Sequence, residues 1–518
     1  MHRAQGGASG AGPAVFGGGG GSAFGGAIDF SSATLNLNNS TFTSNSVRGA
    51  DVCLWSSGGW GCGGAIFAES GVLNCIGCDF ATNTVTSGGG YKTYAGSALG
   101  GAICSHASLS VSQSSFQGNE SSSSTGYTKG ESSGGAIFND NSLALSGSTF
   151  VQNTVQGAFG GYLMTSGLPG GPGRGGAICN LGTLTTTNCT FVANSAAGGQ
   201  GAPTLGGGVS GGDGAGGGLF NNGTANLINL TFASNNAVGG VGGYSPPPTG
   251  GPSGSSLGGA ICNSNGTVNL YNTILASSTS GSNCWGTVSD LGHNLSSDNS
   301  AGFYAPGSLN NTDPILGPLG NYGGPTLTLP LLAGSPAIDG GNTATAPATD
   351  QRGRARPFGT AADIGAFESS PPYFIGGQVS GHTLKDEVTI VIGPANLVTT
   401  NLGTYGASGI AAGSYSVTPT SPNYLFIPAS RPVTVGPDRF GVNFNAYHWN
   451  ALSFEAVTNG MMDCIIADTN GLTCRVLTST DLVQWLPVST NTVGASNYFE
   501  TLLPMTGEPT RYYRTVIP

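Results

Sequence analysis

One pattern of fixed spacing governs what this chain can fold into. A Gly-Gly-Ala-Ile-like motif recurs, with its apolar residue at Ile28, Ile66, Ile103, Ile137, Ile178, Leu219 and Ile261. A second apolar residue follows each at an interval of 13 or 14: Phe42, Phe80, Phe116, Phe150, Phe191, Phe232 and Ile274. From each aromatic to the next motif the chain runs 21 to 29 residues, so one side of the unit is fixed and the other accepts insertions. Three residues beyond the aromatics stand Asn45, Asn83, Asn119, Asn153, Asn194 and Asn235, with Ser277 in the seventh unit. Between the markers lie alternating pairs such as Leu35/Leu37 and Leu143/Leu145, the period-two signature of strands.

Short strands, glycine-rich turns and a repeat of 34 to 42 residues predict a solenoid. Such a unit cannot bury its apolar face alone, but coils stacked about 4.8 Å apart make continuous columns of Ile, Leu and Phe. The fold class expected is all-β: a right-handed, single-stranded parallel β-helix followed by small β-sandwich modules. A propeller competes at this repeat length, but a blade needs four strands and the constant part supplies two or three. The recurrent Asn predicts a side-chain ladder at a turn, where Asn tolerates left-handed backbone.

Composition agrees with order. The chain has 93 glycines and only 7% charged residues, yet apolar residues return at regular intervals, unlike a disordered segment. A net charge of −10 without a basic stripe argues against nucleic acid as a partner. No apolar run of 18 residues exists to form a transmembrane helix. The start, Met1-His2-Arg3-Ala4-Gln5-Gly6, lacks the apolar stretch of a signal peptide, and the expectation is a natural start further upstream.

The tetrapeptides Gly134-Gly135-Ala136-Ile137 and Phe150-Val151-Gln152-Asn153 resemble the repeat of polymorphic outer membrane proteins. That resemblance covers roughly residues 20 to 280 and implies an extracellular β-helix, adhesive in some members. Those proteins end in a membrane β-barrel, whereas no matching series of long alternating strands closes this sequence. Residues 301–368, through Gly334-Ser335-Pro336-Ala337-Ile338-Asp339, Asp350-Gln351-Arg352-Gly353-Arg354 and Asp363-Ile364-Gly365-Ala366-Phe367-Glu368, resemble the choice-of-anchor Q module that closes secreted bacterial β-helices. Residues 373–447, through Gly413-Ser414-Tyr415-Ser416-Val417, resemble a transthyretin-like (carboxypeptidase-regulatory-like) β-sandwich. Residues 448–518, through Ser479-Thr480-Asp481-Leu482-Val483-Gln484-Trp485, resemble a small β module of verrucomicrobial secreted proteins. The domain expectation is therefore 1–300 repeats, 301–368 cap, 373–447 sandwich and 448–518 terminal module.

In a stacked solenoid, side chains at equal offsets from the Ile marker line up and can share chemistry. Three residues beyond it lie Glu69, His106 and Asp140 in successive units. In register they form a carboxylate–imidazole–carboxylate column, suited to binding a metal or to acid–base work; the competing reading is an exposed polar turn, with Ser31, Leu181, Asn222 and Ser264 at the same offset elsewhere. The charges Asp350, Arg352, Arg354, Arg356, Asp363 and Glu368 read as a salt-bridged cap over the open end of the core, or as an anion site. Cys104, Cys179 and Cys262 occupy one position in alternate units, too far apart to pair. Cys75 and Cys78 form a C-x-x-C with no second pair at zinc spacing, so no metal site is read. Cys53 with Cys62, and Cys464 with Cys474, are spaced to close short loops in an oxidising compartment. Leu503-Pro504-Met505-Thr506-Gly507 matches a sorting signal without the apolar tail that such a signal needs. No cofactor is expected.

These readings predict a secreted or cell-surface, monomeric, non-catalytic adhesive or structural protein, with extracellular polysaccharide or matrix as partner. The alternative is a polysaccharide lyase or hydrolase centred on Glu69, His106 and Asp140.

Overall fold

The computed structural model describes residues 3–5, 20–52, 57–124, 126–128, 130–163, 166–204, 207–244, 250–332, 334–369, 373–381, 388–392, 395–398, 403–410, 413–435, 438–449, 451–458, 461–468, 471–495, 497–504 and 512–516. No helix occurs among them. The chain divides into two units, Met1–Ser369 and Ser370–Pro518.

The first unit is a parallel β-solenoid over residues 23–296. One coil shows its plan: Ala98–Leu99, Ile103–Ser105, Ser108–Ser112, Ser115–Gln117 and Glu120–Ser122 are successive strands. Stacked coil on coil, they build five parallel sheets of seven, eight, eight, eight and seven strands, named first to fifth in that order. The corner between the first and second sheets explains the Gly-Gly motif. Its first glycine has φ near +66° in the coil of Gly100, where a Cβ would meet the Ile103 carbonyl oxygen at 2.1 Å. At the second, Gly101, a Cβ would lie 2.0 Å from the carbonyl of Gly135 in the next coil. Only glycine fits either place.

Inside, the Ile and Phe markers align as expected. Phe42, Phe80, Phe116, Phe150, Phe191 and Phe232 stack with ring centroids 4.5 to 4.9 Å apart and planes within 8° of parallel. Most are fully buried, each contributing roughly 1.5–3 kcal/mol of apolar burial. The Asn ladder forms beside them. Each Nδ2 from Asn45 to Asn194 donates to the next Oδ1 at 2.9 Å, and each backbone N–H donates to that same oxygen. The left-handed residue is the one before: Ser44, Thr82, Gly118, Gln152, Ala193 and Ser234 have positive φ.

The seventh unit departs from the expected register. One extra residue in its second turn puts Leu275, not Ile274, opposite Phe232. Ile274 therefore faces outward, in the column of Thr231, and Ser277 is not the ladder position. Ser278 takes that position, and its N–H donates at 3.2 Å to Oδ1 of Asn283 in the next coil, whose Nδ2 donates to the Leu275 carbonyl at 2.9 Å as Asn235 does to that of Phe191.

Where they are described, the variable stretches run as extended glycine limbs that leave the fifth sheet and return to the first. Cross-limb hydrogen bonds run Gly171 to Ala158, Gly199 to Gly171, Gly212 to Gly199, Gly240 to Gly212 and Gly254 to Gly240, all at 2.8 Å. Bonds along each column recur every third residue, as at Gly157 and Gly160 or Gly170 and Gly173. That is the period of a polyproline II-type chain, whose N–H groups have no internal partner and are free to bond sideways. A Cβ at Gly199 or Gly212 would lie 1.8 or 2.0 Å from a neighbouring carbonyl oxygen.

Residues 284–303 form a shortened last coil, and Phe303 seats in the main core. The segment after it folds back along the flank where the third and fourth sheets meet. Gln351 bonds to Thr149, Thr190 and Thr326, Asn188 to Thr349, Asn229 to Asp363 and Gly365, and Asn342 to Asn272. The expected charge cluster is thus a strap over several coils and not a lid on the open end, because outward Asn and Thr side chains of successive coils offer it partners. Arg352–Asp350 and Arg356–Glu368 pair at 2.7 Å with all four side chains fully buried. Arg352 also stacks on the Phe367 ring, 3.4 Å from its centre. Arginines held this way leave no room for an anionic ligand.

In the second unit, residues 373–448 carry two four-stranded sheets around a core that includes Ile375, Ile390, Val417 and Phe444. Residues 451–516 carry two three-stranded antiparallel sheets around Ile466, Val476 and Leu503.

Candidate functional site

Alternation along two short strands creates a trough on the outside of the solenoid. In the first sheet Ala98 turns inward to Val85 while Leu99 turns outward; in the second, Ile103 enters the main core while Cys104 turns outward. The chain bends at Gly100-Gly101 between them, so the two outward faces meet in a concave corner. Stacking repeats that corner in every coil. Its floor alternates large and small along the second sheet: Phe67, Cys104, Phe138, Cys179, Phe220 and Cys262. The alternate-unit cysteines are thus the small partners of three phenylalanines. Burial pushes the thiols of Cys179 and Cys262 up to about 12, which keeps them protonated and unreactive at neutral pH.

Glu69, His106 and Asp140 stand on one wall. Their backbone bonds step coil to coil, Glu69 N to Phe30 O, His106 N to Ala68 O and Asp140 N to Ser105 O. His106 Nδ1 lies 2.5 Å from Asp140 Oδ2, a distance at which the ring donates its proton to the carboxylate. The ring sits edge-on between Phe67 and Phe138, at 5.6 and 6.1 Å. The bond to Asp140 raises the imidazole pKa above its ordinary value; burial opposes this, and the charges of Asp140 and Glu69 add to it. Two of the three residues therefore form a bonded pair, and Glu69 acts on it through charge.

The opposite wall carries a second pair that the forward offsets missed. Arg174 forms an ion pair with Glu131, whose Oε1 also accepts from Ser133 Oγ at 3.1 Å. Arg174 lies over the Phe220 ring at 5.3 Å. Ser133 pairs with Arg174 in the first sheet as Phe138 pairs with Cys179 in the second, so the Arg174–Glu131 pair and Asp140 belong to the same two adjacent coils. The signal was present in the sequence: counting back four residues from each Ile marker gives Phe24, Cys62, Leu99, Ser133, Arg174, Ala215 and Leu257, and counting back six gives Trp60, Glu131 and Asp213 among others. Arg174 and Asp213 also line a cavity of about 290 Å³ among the returning limbs.

Exposed rings mark the ends. Phe24 and Trp60 stand at one end, 39% and 52% exposed, and Trp285 at the other, 43% exposed. Seven steps of about 4.8 Å separate the first and last strands of the second sheet, a length of roughly 34 Å.

The remaining cysteine readings divide. Cys75 and Cys78 are buried in the main core, in accord with a structural role. Cys62 and Cys474 are free buried thiols and do not close the loops expected of them. Cys53 and the Cys464 side chain lie outside the described residues, as do Met505, Thr506 and Gly507 of the sorting-like motif. Among the described residues no cluster of His, Cys, Asp and Glu is arranged to hold a metal ion.

Among solved structures, a protein from Bacteroides uniformis named for a proposed carbohydrate-binding role is similar at 10% identity and a TM-score of 0.12, over 29% of this chain and 80% of its own. No family model and no curated protein matches the chain.

Proposed function

We propose that this chain binds a linear polysaccharide along the trough without cleaving it, as an adhesive or structural protein outside the cell. One observation carries the reading: exposed aromatic rings at both ends of the stacked corner, with two charged pairs in neighbouring coils midway along it. Aromatic faces pack on the C–H faces of sugar rings, and planar charged groups bond hydroxyls in two directions. A trough of this length suits a polymer better than a small molecule. Export and surface display are supported by the resemblance of the repeat and of residues 301–368 to secreted β-helix proteins.

Isothermal titration against a panel of soluble polysaccharides tests the binding. A double variant Phe24→Ala and Trp285→Ala should lose most of the affinity; undiminished binding would place the ligand elsewhere.

A second reading, a lyase or hydrolase, draws on the His106–Asp140 bond with Glu69 one coil away. In it His106 would move the proton and Asp140 would hold the ring. Release of unsaturated or reducing-end oligosaccharide, lost in His106→Ala and Asp140→Ala, would support it. An activity that survives both substitutions would exclude this site.

A further inference from the structure

A second cleft lies on the outward face of the fifth sheet, away from the trough. It is an open cleft of about 660 Å³, lined by Arg48, Asp51, Thr86, Glu120, Gln156 and Phe159 among others. Register explains the lining. Arg48, Thr86, Ser122 and Gln156 occupy one position in four successive coils, which presents a guanidinium, two hydroxyls and an amide about 4.8 Å apart.

The polar groups are held in place. Asp51 accepts from Arg48 at 2.6 Å and from the Gly89 N–H at 2.7 Å, so the guanidinium is neutralised and fixed at one end. Thr86 and Ser122 hydroxyls lie 3.5 Å apart, and Gln156 Nε2 donates to the carbonyls of Gly157 and Gly198 at 3.2 Å. Phe159, 48% exposed, supplies an aromatic face at the other end. Glu120 differs from the rest: among the described residues its carboxylate has no ion pair or hydrogen bond. Among the described lining residues one cation stands against two carboxylates, which leaves one net negative charge centred on Glu120.

We propose that this cleft binds an amino-sugar residue of a glycan. The ammonium group pairs with Glu120, the ring face packs on Phe159, and the remaining hydroxyls bond to Thr86, Ser122 and Gln156. The same charge disfavours uronates and sulfated sugars. The proposal uses none of the trough residues and stands or falls apart from the reading of the trough.

Isothermal titration with a glucosamine hexamer and its fully N-acetylated counterpart tests it, on the full chain at low and moderate salt. The amine form should bind more tightly, and its affinity should fall as salt rises. Glu120→Gln should weaken it about tenfold, the loss of one charge-assisted contact, and remove the preference over the acetylated form. Phe159→Ala should weaken both oligomers, while Phe24→Ala with Trp285→Ala should change neither. Glu120 and Phe159 are both exposed, so unchanged melting curves are expected and separate lost binding from lost fold. Equal affinity for the two hexamers, or a Glu120→Gln chain that keeps the preference, would overturn the proposal, as would no binding of either.

Discussion

A single amide ties three coils together at Asn153. Its Nδ2 donates to Asn194 Oδ1 and to the Phe116 carbonyl, while its Oδ1 accepts from both the backbone and the side chain of Asn119. All of this is buried, so Asn153→Ala strands donors and acceptors that water cannot reach. The substitution should cost at least ~3 kcal/mol in denaturant unfolding. Asn74, whose Nδ2 donates to Asn36 Oδ1 at 2.8 Å on an exposed face, offers the contrast. Asn74→Ala should cost under about 1 kcal/mol, because water replaces the lost partner. The ladder was legible because the Asn recurs at one offset. The left-handed residue before it was not, since Ser44, Thr82, Gln152 and Ala193 share no chemistry and the coil's geometry imposes their conformation. His106 adds a titration. Its raised pKa comes first from the Asp140 bond, so an NMR titration should place its midpoint above ~6.5, and Asp140→Asn should lower it. The sign follows: the stabilisation from this pair is present at acid pH and fades as pH rises through the folded value.

Among the elements, the glycine limbs invert the usual expectation for insertions. A stretch of variable length reads as free loop, and nothing in a Gly-rich segment distinguishes a loop from a packed limb until neighbouring limbs are placed beside it. Packed backbone on backbone, they leave no room for a side chain at glycines such as Gly199 and Gly212. Gly212→Ala puts a Cβ 2.0 Å from the Gly171 carbonyl oxygen, and no rotamer relieves it. A loss of about 3 kcal/mol or more is expected in thermal melting, with faster exchange of the Gly212 and Gly240 amides. Gly250→Ala, whose Cβ would meet nothing closer than 3.9 Å among the described residues, should leave the protein close to unchanged. The strap carries its own pH dependence. Burial, and then the Glu368 charge, push the Asp363 carboxyl up to about 7, against ~3.9 in an unfolded chain. Between those values the folded state holds more protons, so stability falls as pH rises. Melting temperature should therefore climb from pH 8 to pH 5, and Asp363→Asn should flatten that climb. The strap's charges were legible as ion pairs, but not its course, because its anchors are the outward Asn188, Asn229 and Asn272 of coils far away in sequence.

For the solenoid as a whole, nearest-neighbour contacts would let each coil open almost independently. The strap changes that for part of its length. It links the turns at Gly147, Asn188, Asn229 and Asn272, four successive coils, through one segment whose own ion pairs are fully buried. The coils of Ile28 and Ile66 have no such tie among the described residues, and Ile28, Phe30, Leu35 and Leu37 are only partly buried. Unfolding should therefore begin at the coil of Ile28 and stop short of Gly147 until the strap lets go. Hydrogen exchange should show low protection over residues 28–48, intermediate protection over 66–122, and a cooperative block from 137 to 296. Gln351 is the test of that block, since its one side chain bonds to Thr149, Thr190 and Thr326 and so joins two coils to the strap. Gln351→Ala removes these bonds without touching the trough or the Asn ladder. It should lower protection across the coils of Ile137 and Ile178 together, leaving 66–122 unchanged. Loss confined to Thr149 and Thr190 would mean that the strap decorates the coils without coupling them.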